Sequence, residues 1–169
     1  MDYFYEQLVT VKKSATYTIV KYATFVFAAI ALVAIMSLNV TGFITGGIFA
    51  LFAAACFFLK QKLYVEYEYV ITNGSVDIDK IIEAGKRKKV IEFNIKDAEL
   101  IAMEDSEEAK MFPNKPQKKL DCTTNGNKNK VYVAFLTMGE ERCTIRFTPD
   151  EKFLDISFRY NPRGVRRQF

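Results

Sequence analysis

Hydrophobic and polar positions divide the chain into two parts with different patterns. Residues 22–59 contain no Asp, Glu, Lys or Arg, whereas apolar and polar residues alternate in short runs from residue 63 onward. A long uncharged stretch predicts helices that cross a bilayer, because about 20 apolar residues span the hydrocarbon core. Alternation with a period of two predicts β-strands with one buried face. The sequence therefore predicts an α+β protein.

The uncharged stretch is too long for one spanning helix and long enough for two. Residues 37–42 include Ser, Asn, Thr and Gly, which favour a turn. We expect a transmembrane helical hairpin over residues 18–62, with helices at about residues 18–38 and 43–59. A hairpin buried in a soluble protein is the less favoured alternative, because the remaining chain is too small to surround two helices that are apolar on all sides.

Lysines lie on both sides of the predicted hairpin, and its turn contains none. Segments rich in Lys and Arg usually stay in the cytoplasm. We therefore expect a multi-pass protein of the cell membrane, with the lipid bilayer as a partner and both termini in the cytoplasm. The predicted membrane-flanking lysines are Lys12, Lys13, Lys21, Lys60 and Lys62.

Small residues recur every four positions in the second predicted helix, at Gly42, Gly46, Ala50 and Ala54. Such a stripe lets another helix approach closely. That helix is either the first helix of the same hairpin or a helix of another chain, in a homo-oligomer or a complex with a partner membrane protein.

Residues 1–17 are predicted to form an amphipathic N-terminal segment. Phe4, Leu8 and Val11 follow helical spacing, and Glu6 and Lys12 lie elsewhere on the helical wheel. This pattern predicts a surface helix in the membrane interface that leads into the first spanning helix.

Residues 63–169 predict one domain of strands that ends in a helix. Asn73-Gly74 separates two alternating runs and predicts a β-hairpin. Residues 104–130 predict a long polar excursion anchored by Phe112, and Thr148-Pro149-Asp150-Glu151 predicts a helix start with Thr148 as the N-cap. The longer predicted strands are residues 63–72, 75–82, 90–95, 130–138 and 142–147.

The amino-acid composition excludes several kinds of catalytic and metal-binding site. The chain has no His, which excludes Ser-His-Asp and Cys-His catalysis and His-based zinc sites. Cys56, Cys122 and Cys143 lack the spacing of a disulfide framework or metal knuckle, and we expect Cys143 in the core. The net charge of +4 comes mainly from lysines around the apolar stretch, which does not favour a nucleic-acid partner. We expect no enzyme activity, catalytic residue, cofactor or metal.

A basic run of Lys86, Arg87, Lys88 and Lys89 follows Gly85 in a predicted loop. This run could bind an anionic lipid headgroup, together with a basic tail that contains Arg163, Arg166 and Arg167. The alternative is that it forms a basic loop or strand edge whose charges prevent pairing with other strands.

The layout resembles the pleckstrin-homology-like (PH-like) domains of bacterial membrane proteins. In those proteins a membrane hairpin is often followed by a β-hairpin with an I-T-N/D-G turn, which Ile71-Thr72-Asn73-Gly74 matches; Phe147-Thr148-Pro149 before the last helix also fits. Nearly the whole chain is similar to a family of small Gram-positive bacterial two-helix membrane proteins. The resemblance implies a cytoplasmic PH-like antiparallel sheet or barrel over residues 63–169, capped by a C-terminal helix, and no defined activity.

These features together predict a non-enzymatic, membrane-anchored interaction module. Its PH-like domain would bind a protein or peptide partner at the cytoplasmic face. The alternative is binding of anionic lipid headgroups through the basic loop 86–89. Fold alone does not decide between the two functions.

Overall fold

The computed structural model describes residues 3–112, 116–124, 130–139 and 141–167. The chain forms two compact units. The sheet unit contains residues 1–11, 66–81 and 86–169, and the helical unit contains residues 12–65 and 82–85. The segment that holds the helices is therefore an insertion within the sequence of the sheet unit.

The helical unit contains two long antiparallel helices, α1 (Ala15–Met36) and α2 (Val40–Leu63). The side chain of Ser14 caps α1 by accepting a hydrogen bond from the N–H of Tyr17, and Asn39 caps α2 in the same way through Gly42. Capping side chains of this kind satisfy N–H groups that the first helical turn leaves free. The predicted pair of long apolar helices is confirmed, with its turn at residues 37–39, and both helices are long and apolar enough to cross a membrane.

The first sheet of the sheet unit contains β1 (Phe4–Val9), β2 (Val65–Thr72), β3 (Ser75–Ile82) and β4 (Lys86–Asn94), in that order. The predicted Asn73-Gly74 turn joins β2 and β3. Asn73 has φ +51° and Gly74 has φ +90°, the left-handed conformations that a tight hairpin requires.

The prediction of an N-terminal surface helix was wrong, because residues 4–9 form the strand β1. This strand pairs antiparallel with β2, with Tyr5 opposite Ile71 and Val9 opposite Tyr67. Gln7 and Val9 are buried while Phe4 and Leu8 are exposed, so burial follows the period of a strand. The helical spacing of Phe4 and Leu8 is thus equally compatible with one face of a strand, since residues i and i+4 share a face in both structures.

The second sheet has the order β5-β7-β8-β6, with β6 parallel to β8 and the other pairs antiparallel. Its strands are β5 (Ala98–Met103), β6 (Lys118–Asp121), β7 (Tyr132–Met138) and β8 (Glu141–Phe147). The predicted excursion over residues 104–130 contains β6 and a short helix, α3 (Glu107–Met111), which sequence reasoning missed. Phe112 anchors it as predicted, because its ring stacks on Phe135 at 4.7 Å. Residues 113–115 and 125–129 lie outside the described residues.

The core of the sheet unit is built around three aromatic rings. Tyr69 of β2, Phe147 of β8 and Phe153 of the C-terminal helix α4 (Glu151–Tyr160) are buried, with ring centroids 5.8–6.2 Å apart. Their edge-to-face arrangement is the one that aromatic pairs favour. This cluster joins both sheets and the helix into one body.

The start of α4 differs from its predicted form. Asp150, not Thr148, is the N-cap, and its carboxylate accepts a hydrogen bond from the N–H of Phe153 at 2.8 Å. Thr148 is buried, and its N–H donates to the hydroxyl of Tyr69 at 3.2 Å. Thr148 therefore binds the core tyrosine three residues before the helix begins at Glu151.

Candidate functional site

The basic run at residues 86–89 begins the strand β4, so its prediction as a loop was wrong. The strand begins directly after a tight turn in which Glu83 and Ala84 have positive φ values of 51° and 55°. β4 is also an edge strand of the first sheet. The structure therefore supports the alternative that the run forms a basic strand edge, which discourages pairing with other strands.

Arg87 forms an ion pair with a buried carboxylate. Its guanidinium lies 2.9 Å from Glu68, whose side chain is only 3% exposed. Burial and a hydrogen bond with Glu6 raise the pKa of Glu68, and the positive charge of Arg87 acts in the opposite direction. Arg87 thus compensates a charge within the sheet, which leaves it less available to an external anion.

Lys89 is also paired within the sheet unit. Its Nζ lies 2.6 Å from Asp77 and 2.7 Å from Glu92, and hydrogen bonds to both carboxylates raise its pKa. Asp77 is therefore bound to a lysine, as suits an outward-facing strand residue. Lys86 and Lys88 are exposed. These two are the residues of the basic run best placed to meet an external anion.

The basic C-terminal tail also forms pairs within the sheet unit. Arg166 Nε lies 2.7 Å from Glu108, and Arg167 Nη1 lies 2.7 Å from Asp155, whereas Arg163 is exposed. Two of the three tail arginines are thus already engaged with carboxylates.

The predicted stripe of small residues divides between two faces of α2. A Cβ added to Gly42 would collide with the carbonyl oxygen of Ala34, and one added to Gly46 would lie 2.5 Å from the side chain of Ile35. Both glycines therefore let α1 and α2 approach closely. Ala50 and Ala54 are exposed. The glycines support packing within the hairpin, and the two alanines are available to lipid or to another helix.

A polar and aromatic cluster, which we call the hairpin base, lies where α1 begins and α2 ends. The hydroxyl of Tyr17 donates to Glu83 at 3.2 Å, and Lys60 Nζ lies 3.1 Å from the same carboxylate oxygen. The rings of Tyr17 and Tyr64 are 5.3 Å apart, and Lys13 lies over Tyr64. Tyrosine and lysine suit a membrane–water interface, because each has an apolar body and a polar tip.

The remaining predicted flanking lysines, Lys12, Lys21 and Lys62, are exposed. Lys21 lies inside α1 and needs a snorkelling side chain to reach water if that helix spans a bilayer. Sequence reasoning missed Glu83, because no local pattern connects it to residues 17 and 60. A lone acidic residue at the tip of a β-hairpin is its only signal in the sequence.

Two of the three cysteines are buried in the sheet unit. Burial raises the pKa of the Cys122 thiol to about 12 and also raises that of Cys143. A neutral, buried thiol is a poor nucleophile. Within the described ranges, no group of three or more His, Cys, Asp or Glu residues could hold a metal ion.

Two sheets and a C-terminal helix, with two long apolar helices inserted between β1 and β2, form an α+β fold of the PH-like class. Residues 1–167 match the family model described as Bacterial PH-like domain (DUF6106), and the chain belongs to this family. The match includes β1 and both helices as well as the two sheets. Comparison with curated proteins and with solved structures produced no match.

Proposed function

We propose that the protein is a non-enzymatic membrane-anchored module that presents its PH-like domain at the cytoplasmic face to bind a protein or peptide partner. The insertion of the apolar hairpin between β1 and β2 carries this proposal. A hairpin connected to adjacent strands at both ends tethers the domain twice. The domain then stays at the surface of the bilayer and meets partners that are also found there.

The orientation follows from lysines and connectivity together. The helix ends carry Lys12, Lys13, Lys60 and Lys62, while the turn at residues 37–39 carries no charge. By the positive-inside rule, this distribution of lysines supports a cytoplasmic location for both helix ends. PH-like domains are typically non-catalytic, which agrees with the absence of His from the chain.

Photo-crosslinking in native membranes tests partner binding. A photoreactive amino acid is placed at exposed positions of the sheet unit, such as Met111 or Lys88, and at Val33 in α1 as a control. We expect a discrete protein adduct from a subset of the sheet positions, and we expect an excess of unlabelled chain to reduce it by competition. Adducts from Val33 alone, or no protein adduct, would contradict the proposal.

Binding of anionic headgroups is a second candidate, favoured by the exposure of Lys86 and Lys88. Lys86 follows Glu83 by three residues, so the chain keeps their Cα atoms within about 11 Å. Glu83 is part of the hairpin base through Lys60. The covalent connection therefore limits the distance between Lys86 and the hairpin base, whose tyrosines and lysines suit a membrane–water interface.

A fluorophore at residue 85 tests this second candidate and leaves Lys86 and Lys88 in place. Gly85 is exposed and has room for a side chain. The Gly85→Cys variant carries an environment-sensitive dye, and the full chain is placed in nanodiscs with or without phosphatidylglycerol. We expect a blue shift with the anionic lipid only, a smaller shift after Lys86→Gln, and reversal by high salt, because salt screens exposed charges. Equal spectra in both lipids would contradict headgroup binding.

A further inference from the structure

The C-terminal tail, defined here as residues 163–167, lies beside β5 as an additional short strand. Val165 forms a parallel bridge with Ile101. The N–H of Ile101 donates to the carbonyl of Gly164 at 2.8 Å, and the N–H of Arg166 donates to the carbonyl of Ile101 at 2.8 Å. Since β5 is at the end of its sheet, the tail occupies backbone groups on an edge strand.

The side chains of the tail make one apolar contact, followed by two ionic contacts. Val165 is 1% exposed. Arg166 pairs with Glu108 of α3, and Arg167 pairs with Asp155 of α4. We call the receiving surface the tail slot, and its main residues are Ile101, Glu108, Asp155 and Phe158.

The contact with Arg167 is made from two sides. Its guanidinium carbon lies 3.9 Å from the centroid of the Phe158 ring, while Nη1 contacts Asp155. An aromatic face next to a carboxylate is a favourable environment for a guanidinium, which stacks and donates hydrogen bonds at the same time.

The tail slot has the parts of a site that binds an extended peptide. Strand addition to a sheet edge obtains affinity from main-chain hydrogen bonds and specificity from pockets for alternate side chains. Here the main chain of Ile101 in the edge strand β5 supplies the hydrogen bonds. The position that buries Val165 serves as an apolar pocket, and the carboxylates of Glu108 and Asp155 select for basic residues.

We propose that the tail slot binds an extended peptide segment of a partner protein and that the chain's own tail occupies it until that partner arrives. The segment has a small branched apolar residue followed by two basic residues, as in Val165-Arg166-Arg167. This inference rests on the proposed partner-binding function and names the surface and the chemistry of the partner.

Displacement requires that the tail can open without unfolding the domain. Two main-chain bonds to Ile101, two hydrogen bonds to Asn161 and one buried apolar side chain hold the tail, and the side chains of Arg166 and Arg167 are 35–40% exposed. Ion pairs this exposed are weak, and segments with few buried contacts open locally. A tethered tail nevertheless competes strongly, because its effective concentration is in the millimolar range or above.

The test compares closed and opened forms of the full chain in detergent. Val165→Asp opens the slot by placing a carboxylate at the apolar pocket, and Arg166→Glu/Arg167→Glu opens it by repulsion from Glu108 and Asp155. The probe is a fluorescent peptide with the sequence of residues 161–167, titrated by anisotropy. Each opened variant is expected to bind the peptide about tenfold or more tightly than the unmodified chain, because the competing tail is removed.

Two controls and one further variant make the test specific for the tail slot. Arg163→Glu changes an exposed arginine of the tail and is expected to leave the slot closed. A peptide with both basic residues after the valine changed to Glu is expected not to bind. Glu108→Gln/Asp155→Asn, added to an opened variant, is expected to weaken peptide binding about tenfold.

The alternative outcomes overturn the inference without affecting the proposed function. If neither opened variant binds the peptide saturably while its thermal unfolding transition is retained, the slot is not a peptide site. Equal binding by the unmodified chain would show that the tail does not occupy the slot competitively. If Val165→Asp fails to fold, peptide binding by the Arg166→Glu/Arg167→Glu variant alone tests the proposal. Partner binding at another surface is still tested by photo-crosslinking.

Discussion

Val9 of β1 lies opposite Tyr67 of β2 in an antiparallel ladder, although residues 10–64 separate the two strands along the chain. The helical hairpin thus leaves and re-enters one sheet through neighbouring strands. A soluble sheet cannot straddle a bilayer, because open sheet edges do not occur in hydrocarbon. The register of β1 with β2 therefore predicts that both ends of a spanning hairpin lie on one side of the membrane.

Removal of the Gln7 side chain is expected to destabilise the sheet unit. Gln7 is 8% exposed. Its amide donates to the carbonyl of Thr148 at 2.9 Å and accepts from the N–H of Asp150 at 2.9 Å. Gln7→Ala leaves both backbone groups without these partners and should cost about 2–3 kcal/mol. Denaturant unfolding followed by circular dichroism measures the change.

Thr72→Ala is a matched control for this prediction, because Thr72 is exposed at the end of the partner strand β2. Its expected effect is below about 0.5 kcal/mol. Equal effects of the two substitutions would show that β1 is not held through Gln7.

The sequence predicted elements that depend on local periodicity and turn chemistry. The uncharged stretch, the Asn73-Gly74 turn and the anchoring aromatic Phe112 are all such features. The strand β1 was mistaken for a helix because its pairing partner lies beyond the inserted hairpin, and six residues do not distinguish a period of two from a period of 3.6.

The candidate sites were predicted less completely, for a related reason. The sequence showed four adjacent basic residues, but strand geometry and the long-range carboxylate of Glu68 decide which of them are compensated. The same holds for Glu83 and Val165, whose contacts join residues far apart in the chain. Such contacts follow from the register of the sheets, which local patterns do not specify.

Substitution of Arg87 should affect stability more than substitution of its neighbour. Arg87→Gln removes the cation next to the buried carboxylate of Glu68 and should destabilise the sheet unit by about 1–2 kcal/mol. This is less than for a fully buried pair, because Arg87 itself is largely exposed. Lys88→Gln changes an exposed lysine and should cost below about 0.5 kcal/mol. Unfolding midpoints of the two variants at pH 7 provide the measurement, and equal midpoints would refute the structural role of Arg87.

The pKa of Glu68 predicts a pH dependence of stability. Because this pKa is raised in the folded state, mainly by burial and by Glu6, folding favours the protonated carboxyl. The resulting stabilisation is present below the ordinary pKa of 4.5 and is lost as pH rises through the folded pKa. As the pH rises from 4.5 through the folded pKa of Glu68, the Glu68→Gln variant should therefore lose less stability than the unmodified chain.

Unfolding midpoints measured in steps from pH 4 upward test this prediction. Arg87 and Asp79 also face Glu68, so their substitution would alter the comparison and they are left unchanged. Glu107→Gln, at an exposed carboxylate, is the control and should follow the unmodified chain. If the unfolding midpoints of all three proteins change with pH in parallel, Glu68 is not the source of the pH dependence.

The thiol of Cys122 should react slowly in the folded protein. Its pKa of about 12 compares with an ordinary value of 9.0. The thiolate fraction at pH 8 is therefore about a thousandfold lower than in the unfolded chain, and burial adds a steric barrier. Mass spectrometry after iodoacetamide pulses, with and without denaturant, measures this difference. Similar labelling rates in the two conditions would contradict burial of this residue.

The proposed membrane topology is tested most directly by finding the side of the membrane on which the hairpin turn and the sheet unit lie. Leu38→Cys and Lys88→Cys are expressed separately, and intact cells are treated with a membrane-impermeant maleimide before and after lysis. If the hairpin spans the membrane and the PH-like domain lies in the cytoplasm, residue 38 is labelled in intact cells and residue 88 is labelled only after lysis. Labelling of residue 88 in intact cells, or protection of residue 38 until lysis, would contradict a membrane-spanning hairpin that holds the PH-like domain in the cytoplasm.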